Sequence, residues 1–456
     1  MHAQTIGGLA AFLSLSPLAL GCGGTAGSHP GTAAYPQPSF APAAHDRGAS
    51  LPDPAAGGEV ALEELLAWAH EHAPAIRVAR ARARRGDAEI EAASPILQDN
   101  PEVGVGVGGR TIASSTFVEL EVSLQQTIEI AGERGLRIET AERGRDVALA
   151  EQDEARWRAH VEVHALFLDA LVARERVAAA VQVVRFAEEL EQIAQRRVDA
   201  GDDAPLSTLV ARADLAQARE LLVAAQQDED AIRTTLAEVS GWPVSLPVRP
   251  RGTLPPIRMT RALPDLVRLA ARHHPALRTQ ALAVAEAESR VRLEDRDAWP
   301  EPTLGAAYAS EGDASQVPHV WLFTAGIPIP LWNRNQGGRA RASVALDTAR
   351  AEQEILGERL QAQLARAATR VNAAAQRVQI LGEDVVPAVE RNLELIRRAY
   401  DLGELDVHAV SQTRERVLDV QARALGALGE YVRALTDLEA LVGTELGDSA
   451  LQETTP

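Results

Sequence analysis

Residues from about 62 to 135 recur about 201 positions further along the chain without a gap. Leu62, Leu65, Leu66, Ala69 and Pro74 return as Leu263, Leu266, Val267, Ala270 and Pro275; Pro101 returns as Pro302, and Ile128 as Ile329. Later in each copy, Gly201 matches Gly403 and Gly241 matches Gly443. A period of about 200 residues is far longer than that of a solenoid. It implies two similar halves in one architecture, so the fold must be one that a chain can build twice.

The halves are read as helical. Aromatic residues make up only 4% of the chain, whereas alanine, leucine, glutamate and arginine dominate, as in long helices packed through narrow seams. From about 133 to 198 there is no proline, which predicts one helix of about 65 residues, on the order of 100 Å long. Arg196 to Pro205 predicts a reversal: Gly201 stops the first helix, Asp203 or Ala204 caps the next, and Pro205 sits early in it. That next helix runs to about Val239, and the proline-rich stretch from Gly241 to Pro256 reads as a connector. The second copy repeats the order. A helix over about 262–298 is followed by a long helix over about 338–400 with a kink at Pro387, a turn at Gly403, and a final helix over about 407–442 with Asp406 as its cap.

Between the first shorter helix (about 59–98, kinked near Pro74) and the long one, the periodicity changes from 3.6 to 2. In Val103-Gly104-Val105-Gly106-Val107, valine and glycine take opposite sides. From Phe117 onward, Val118, Leu120, Val122 and Leu124 share one face, while Glu119, Glu121, Ser123 and Gln125 share the other. The pattern returns at about 303–310 and 319–329, where Leu304, Ala306 and Tyr308 keep the phase of Val103, Val105 and Val107, and Trp321 and Phe323 that of Leu120 and Val122. These hairpins have one greasy and one wet surface. Two short helices end to end match one long helix, which gives four helical columns per chain with strands only at one end.

Outside residues 6–20 no apolar run approaches the roughly 20 residues of a membrane-spanning helix, so any membrane crossing falls to the strands. Four strands cannot close a barrel, and an open edge cannot face lipid. Several chains must therefore share one barrel if these strands span a bilayer. The segment Ile6–Leu20 followed by Gly21-Cys22 reads as a secretory signal whose removal leaves Cys22 first and ready for lipidation, although Ala19 stands where leucine is usual and no Lys or Arg precedes the apolar run. Residues 23–58, rich in Gly, Pro, Ala and Ser, read as a tether. The resulting division is 1–21 signal, 22–58 lipid-anchored tether, 59–241 first copy, 242–260 connector, 261–443 second copy and 444–456 tail. The net charge of -18 disfavours nucleic acid as a partner, and all 46 basic residues are arginine.

The duplicated helix–hairpin–long helix–turn–helix unit, the signal with its cysteine and the glycine turns resemble the TolC-like outer-membrane factor family over about residues 60–443. The segment Ile327-Pro328-Ile329-Pro330-Leu331-Trp332-Asn333-Arg334-Asn335-Gln336-Gly337 is similar to the strand-exit motif of the CzcC-like, heavy-metal branch. The first copy carries only a weak version of it, Thr127 to Gly135. The resemblance implies a mainly α protein with a transmembrane β-barrel. Three chains of a homotrimer would each supply four strands to a shared 12-stranded barrel and continue as an α-barrel across the periplasm. It implies a passive duct in the outer-membrane lipid, docked by its helical tips to a periplasmic adaptor and an inner-membrane RND-type pump, with no cofactor.

Within that frame, Arg197, Gly201, Leu206, Tyr400, Gly403 and Leu405 are the expected adaptor-contact tips, and Glu119 and Glu121 the expected lumen-facing acids. Pro328, Pro330, Asn333, Arg334, Asn335 and Gly337 form the strand exit. Some family members narrow the tunnel with aspartates just inside the second tip; Ala409 and Gln412 stand at the matching positions, which counts against a gate of that type. His160 and His164, four apart with Glu162 between them, have metal-ligand spacing but no evident third ligand, so no metal site is expected. His72 and His273, repeat-equivalent and close before prolines, read as bend residues. The glycine pattern at 104–109 is not a dinucleotide loop, because a strand rather than a helix follows it. No nucleophile–base constellation is evident, so an enzyme is not expected. Export of metal cations is the leading reading. A duct for drugs or for type I protein secretion, and a periplasmic coiled-coil scaffold without a pore, are the alternatives.

Overall fold

In the computed structural model, residues 58–112, 115–310 and 319–446 are described. The signal, Cys22, the tether up to residue 57 and most of the tail lie outside them. The described elements run β1 (Glu59–Val60), α1 (Leu62–His72), α2 (Pro74–Ala93), β2 (Glu102–Ile112), β3 (Ser115–Thr127), α3 (Glu133–Ala200) and α4 (Pro205–Ser240). After β4 (Arg249–Pro250) come α5 (Leu263–His273), α6 (Pro275–Arg296), β5 (Thr303–Ser310), β6 (His319–Gly326), α7 (Gln336–Gln379), α8 (Val386–Asp401) and α9 (Val407–Val442).

The helix boundaries follow the punctuation of the sequence. Pro74, Pro205 and Pro275 each occupy the first helical position, where a missing N–H costs nothing. Gly201, Gly241 and Gly443 end α3, α4 and α9 in the left-handed region at φ 81°, 71° and 85°. With no proline between, α3 runs for 68 residues.

Two of these glycines do more than turn the chain. A Cβ on Gly241 would lie 2.4 Å from the His72 carbonyl oxygen, and one on Gly443 would lie 2.5 Å from the matching atom of His273. Each helix end is thus seated directly on the break between two short helices. Gly241→Ala and Gly443→Ala are each expected to destabilise the fold by at least the roughly 1–2 kcal/mol of a left-handed alanine, plus the clash. Thermal unfolding of each variant checks this, with Gly357→Ala, which has open space around it, as the control.

Two expectations need correction. Strands are not confined to one end: β1 and β4 form a two-residue parallel ladder, Glu59 opposite Arg249 and Val60 opposite Pro250, that straps the connector to the start of the first helix. Nor is Pro387 a simple kink. A π-helical turn, Ile380–Val385, joins α7 to α8 just ahead of it. In an unbroken α-helix the ring of Pro387 would collide with the carbonyl four residues earlier, at Glu383, and the widened turn relieves that conflict.

The main core gathers Leu65, Leu66, Ile76, Phe167, Leu171, Leu364, Val371, Tyr431 and Leu438, where α1, α2, α3, α7 and α9 meet. Alanines at 159, 367, 374 and 375 keep these seams close. Tyr431 is buried, and its hydroxyl donates to the Pro256 carbonyl at 3.1 Å and accepts from the Arg258 N–H at 3.0 Å, which pins the connector to this core.

Candidate channel wall, helical tips and family

β2, β3, β5 and β6 form one antiparallel sheet in that order, so β2 and β6 are its open edges. The register brings Val103, Val105 and Val107 opposite Leu124, Val122 and Leu120. Val122 and Leu124 then face Tyr308 and Ala306, and these in turn face Trp321 and Phe323. By the two-residue period of strands these side chains share one face. That face is exposed: Val105 67%, Trp321 68%, Phe323 80%. A contiguous apolar surface of this kind on a soluble monomer would be a liability. The opposite face carries Glu119, Glu121, Ser123 and Gln125, paired with Gly108, Gly106, Gly104 and Glu102 on β2 and, for the last three, with Ala309, Ala307 and Gly305 on β5. Small residues leave room there. A Cβ on Gly104 would lie 2.6 Å from Ser123 Oγ. Glu119 and Glu121 lie on the polar face as expected, but Val320 and Leu322 share it, so it is less polar than the first hairpin alone suggests.

The strand exit turns the chain from sheet to helix. Asn335, the only non-glycine with positive φ among the described residues (53°), is the N-cap of α7, the place that Gly132 (φ 83°) takes before α3. Asparagine tolerates this conformation better than most side chains. Its Nδ2 donates to Glu294 at Oε2 (2.8 Å) and at the carbonyl (3.0 Å), which fastens the exit to α6. Arg334 Nε donates to the Pro330 carbonyl at 3.0 Å, and the Asn335 N–H donates to Asn333 Oδ1 at 3.1 Å. The motif is therefore a folded corner. Gly337 lies in the first turn of α7, and Pro328 lines a groove together with Trp299 and Trp332.

At the other end, the tips separate into an inner lock and an outer surface. Tyr400 is wholly buried among Leu190, Ile193, Val407 and Val410. Arg197 stacks over its ring at 4.7 Å and donates to its carbonyl at 2.8 Å. Both were expected at the contact surface; Tyr400 instead packs beneath it, and Arg197 ties one tip to the other. Gly201 (φ 81°) and Gly403 (φ 79°) make the reversals, and Leu206, Leu402 and Leu405 beside them are exposed. Asp406 accepts the Ala409 N–H at 2.9 Å as the expected cap of α9.

Asp203 accepts from the Ser207 hydroxyl at 2.7 Å and from the Ala204 N–H at 2.8 Å. The Ser207 hydrogen bond foremost, then the backbone bond and nearby Arg197, hold its carboxyl below the usual range. The stabilisation is complete above the unfolded value of about 3.9 and is lost as pH falls through the lower folded value. The melting difference between the native chain and Asp203→Asn should hold steady above about pH 4 and close below it.

Two groupings escaped sequence reasoning. Arg414, 2% exposed, pairs with Asp214 Oδ1 at 3.3 Å and also donates to the Asp214 carbonyl at 3.4 Å; Ser411 donates to the same carboxylate. This lock joins α9 to α4 close to the tips. The second is a carboxylate that the sequence did not place near His160 and His164: Glu445 lies beside them, with one nitrogen or oxygen of each of the three residues within 4.8 Å of the others. Glu162 is exposed and outside that group.

Residues 65–242 and 266–444 match the outer membrane efflux protein family, two tandem matches separated by the connector. Cobalt-zinc-cadmium resistance protein CzcC of Cupriavidus metallidurans is 26% identical over 419 residues, 90% of this chain and 97% of that protein. Nickel-cobalt-cadmium resistance protein NccC of Alcaligenes xylosoxydans xylosoxydans is also 26% identical, over 67% of this chain and 70% of its own. Among solved structures, the CmeC outer membrane channel of Campylobacter jejuni superposes with a TM-score of 0.68 at 13% identity over 86% of this chain and 88% of its own. CusC does so with 0.67 at 14% over 84% and 92%, and both show the fold alone. With both copies matched and the same fold in known channels, the chain belongs to the outer membrane efflux protein family and resides in the outer membrane.

Proposed function

We propose that the chain is the passive outer-membrane duct of a tripartite efflux system that exports heavy-metal cations. In this reading three copies pool their sheets. The open edges β2 and β6 pair between neighbours, and the duplicated halves of each chain supply four strands to a closed barrel of about twelve. Closure satisfies the edge N–H and C=O groups that lipid cannot. The observation that carries the reading is the sheet itself: one face largely apolar and exposed, the other with carboxylates, and both edges unpaired among the described residues. A scaffold without a pore has no use for that surface. Glu119 and Glu121, repeated by symmetry, would form rings that favour cations.

The energy for transport comes from an inner-membrane RND-type pump, reached through a periplasmic adaptor that docks on Leu206, Leu402 and Leu405 around Gly201 and Gly403. Cys22 carries the lipid anchor. The metal assignment is supported by the resistance names of the two relatives and by the folded strand-exit corner. Deleting the gene should sensitise cells to cobalt, zinc or cadmium, and the native chain should restore tolerance. A Leu206→Asp/Leu405→Asp variant should reach the outer membrane as an oligomer yet fail to restore it. Unchanged tolerance to all three metals in the deletion strain contradicts the metal reading.

A further inference from the structure

We propose that His160, His164 and Glu445 bind one divalent first-row transition-metal ion, of the zinc and cobalt class, which clamps the exit of α9 onto α3. This ion is a resident of the fold, and the inference stands whatever the duct carries.

The two histidines are one helical turn apart on α3 and so project from one face. Glu445 lies 285 residues away in sequence, just past the end of α9, and its Oε1 is 2.7 Å from His160 Nε2. Two imidazoles and a carboxylate with a position left open form a ligand set suited to zinc, cobalt or nickel, and a poor one for calcium or magnesium, which take oxygen. The ligand atoms lie within 4.8 Å of one another. Bonds of about 2.0–2.2 Å need them roughly 3.3 Å apart. Glu445, with its side chain 46% exposed on a coil, has room to adjust, and side-chain rotation of the two histidines supplies the rest.

The surroundings are those of a ligand set that is held in place. Trp157 stacks on His160 with ring centroids 5.2 Å apart, and its Nε1 donates to the Ala440 carbonyl of α9 at 3.2 Å. His160 Nδ1 lies 3.4 Å from His70 Nε2, so the nitrogen turned away from Glu445 has an orienting partner on α1. His164 Nδ1 lies 3.6 Å from Oε2 of Glu439, a carboxylate only 5% exposed whose other oxygen accepts the Leu446 N–H. Carboxylates and imidazoles placed behind ligating histidines fix ring orientation and raise affinity. The second copy shows that the packing does not require these groups. At the 202-residue offset of the turn glycines, Ala362 and Arg366 replace His160 and His164.

The test uses untagged full-length protein in detergent, stripped with a chelator, desalted and titrated with cobalt(II) and, in competition, zinc(II). About one cobalt per chain is expected, with the visible d–d bands of a four-coordinate nitrogen–oxygen site, and zinc should displace it. His164→Ala should abolish the bands. His70→Ala should weaken affinity about 10–100-fold while retaining them. Zinc should raise the melting temperature of the native protein but not of the His164→Ala variant. Glu445→Gln, on an exposed coil, leaves folding intact and should also abolish stoichiometric binding. Absence of stoichiometric metal on the native chain, or binding that survives Glu445→Gln, overturns the site. Neither result bears on whether deletion cells are metal-sensitive.

Discussion

Arginine in place of Val122 is expected to abolish assembly, whereas arginine in place of Glu121, its neighbour, should leave assembly intact. The two residues occupy the same strand and the same depth, and differ only in face. Val122 stands in the central strand β3, between Val105 on one side and Tyr308 on the other, within the apolar surface. A cation on the lipid face of a barrel costs on the order of 2–4 kcal/mol near the midplane, and the proposed trimer would meet that cost in every subunit. Glu121 faces Gly106 and Ala309, where the longer side chain finds small neighbours and water. Outer-membrane fractions run with and without heating would show the native oligomer and the Glu121→Arg oligomer, but no Val122→Arg oligomer. Equal behaviour of the two variants would mean that the sheet does not separate lipid from lumen.

The second large effect lies near the other end of the helices. Asp214→Ala strips Arg414 of its counter-charge and of the carboxylate that accepts from Ser411. Breaking one side of a buried pair costs about 3–5 kcal/mol, mostly because the remaining charge has no partner. Replacing both groups by apolar residues of similar size is far milder. Thermal unfolding should therefore rank Asp214→Ala well below the Asp214→Leu/Arg414→Met double variant, which in turn should lie near the native chain. If Asp214→Ala melts within about 1 kcal/mol of native, the pair is less buried in the assembled protein than in the single chain. Because the lock holds α4 to α9 beside the tips, its loss should also loosen the surface that the proposed adaptor would contact.

Sequence carried most of the long-range plan because local signals mark it. Proline and glycine placed the ends of α3, α4 and α9 to within a few residues; alternation of valine with glycine, and of leucine with glutamate, gave the first hairpin and its faces, and the 201-residue repeat carried their phase to the second. What escaped was either too short or too distant to leave a pattern. The ladder of β1 and β4 has two residues per strand, below any detectable period. The π-turn at Ile380–Val385 differs from an α-turn by a single extra residue. Asp214 with Arg414, and His160 with Glu445, are brought together by tertiary packing across about 200 and 285 residues. Tyr400 was legible as a turn residue but not as a buried one, since a tyrosine before a glycine turn can face either way.

The central claim is that one chain holds only part of a pore. Native mass spectrometry of the untagged protein extracted gently from outer membranes measures it directly. The account predicts a dominant species with the mass of three chains, and a membrane-embedded species with the mass of one chain would contradict it.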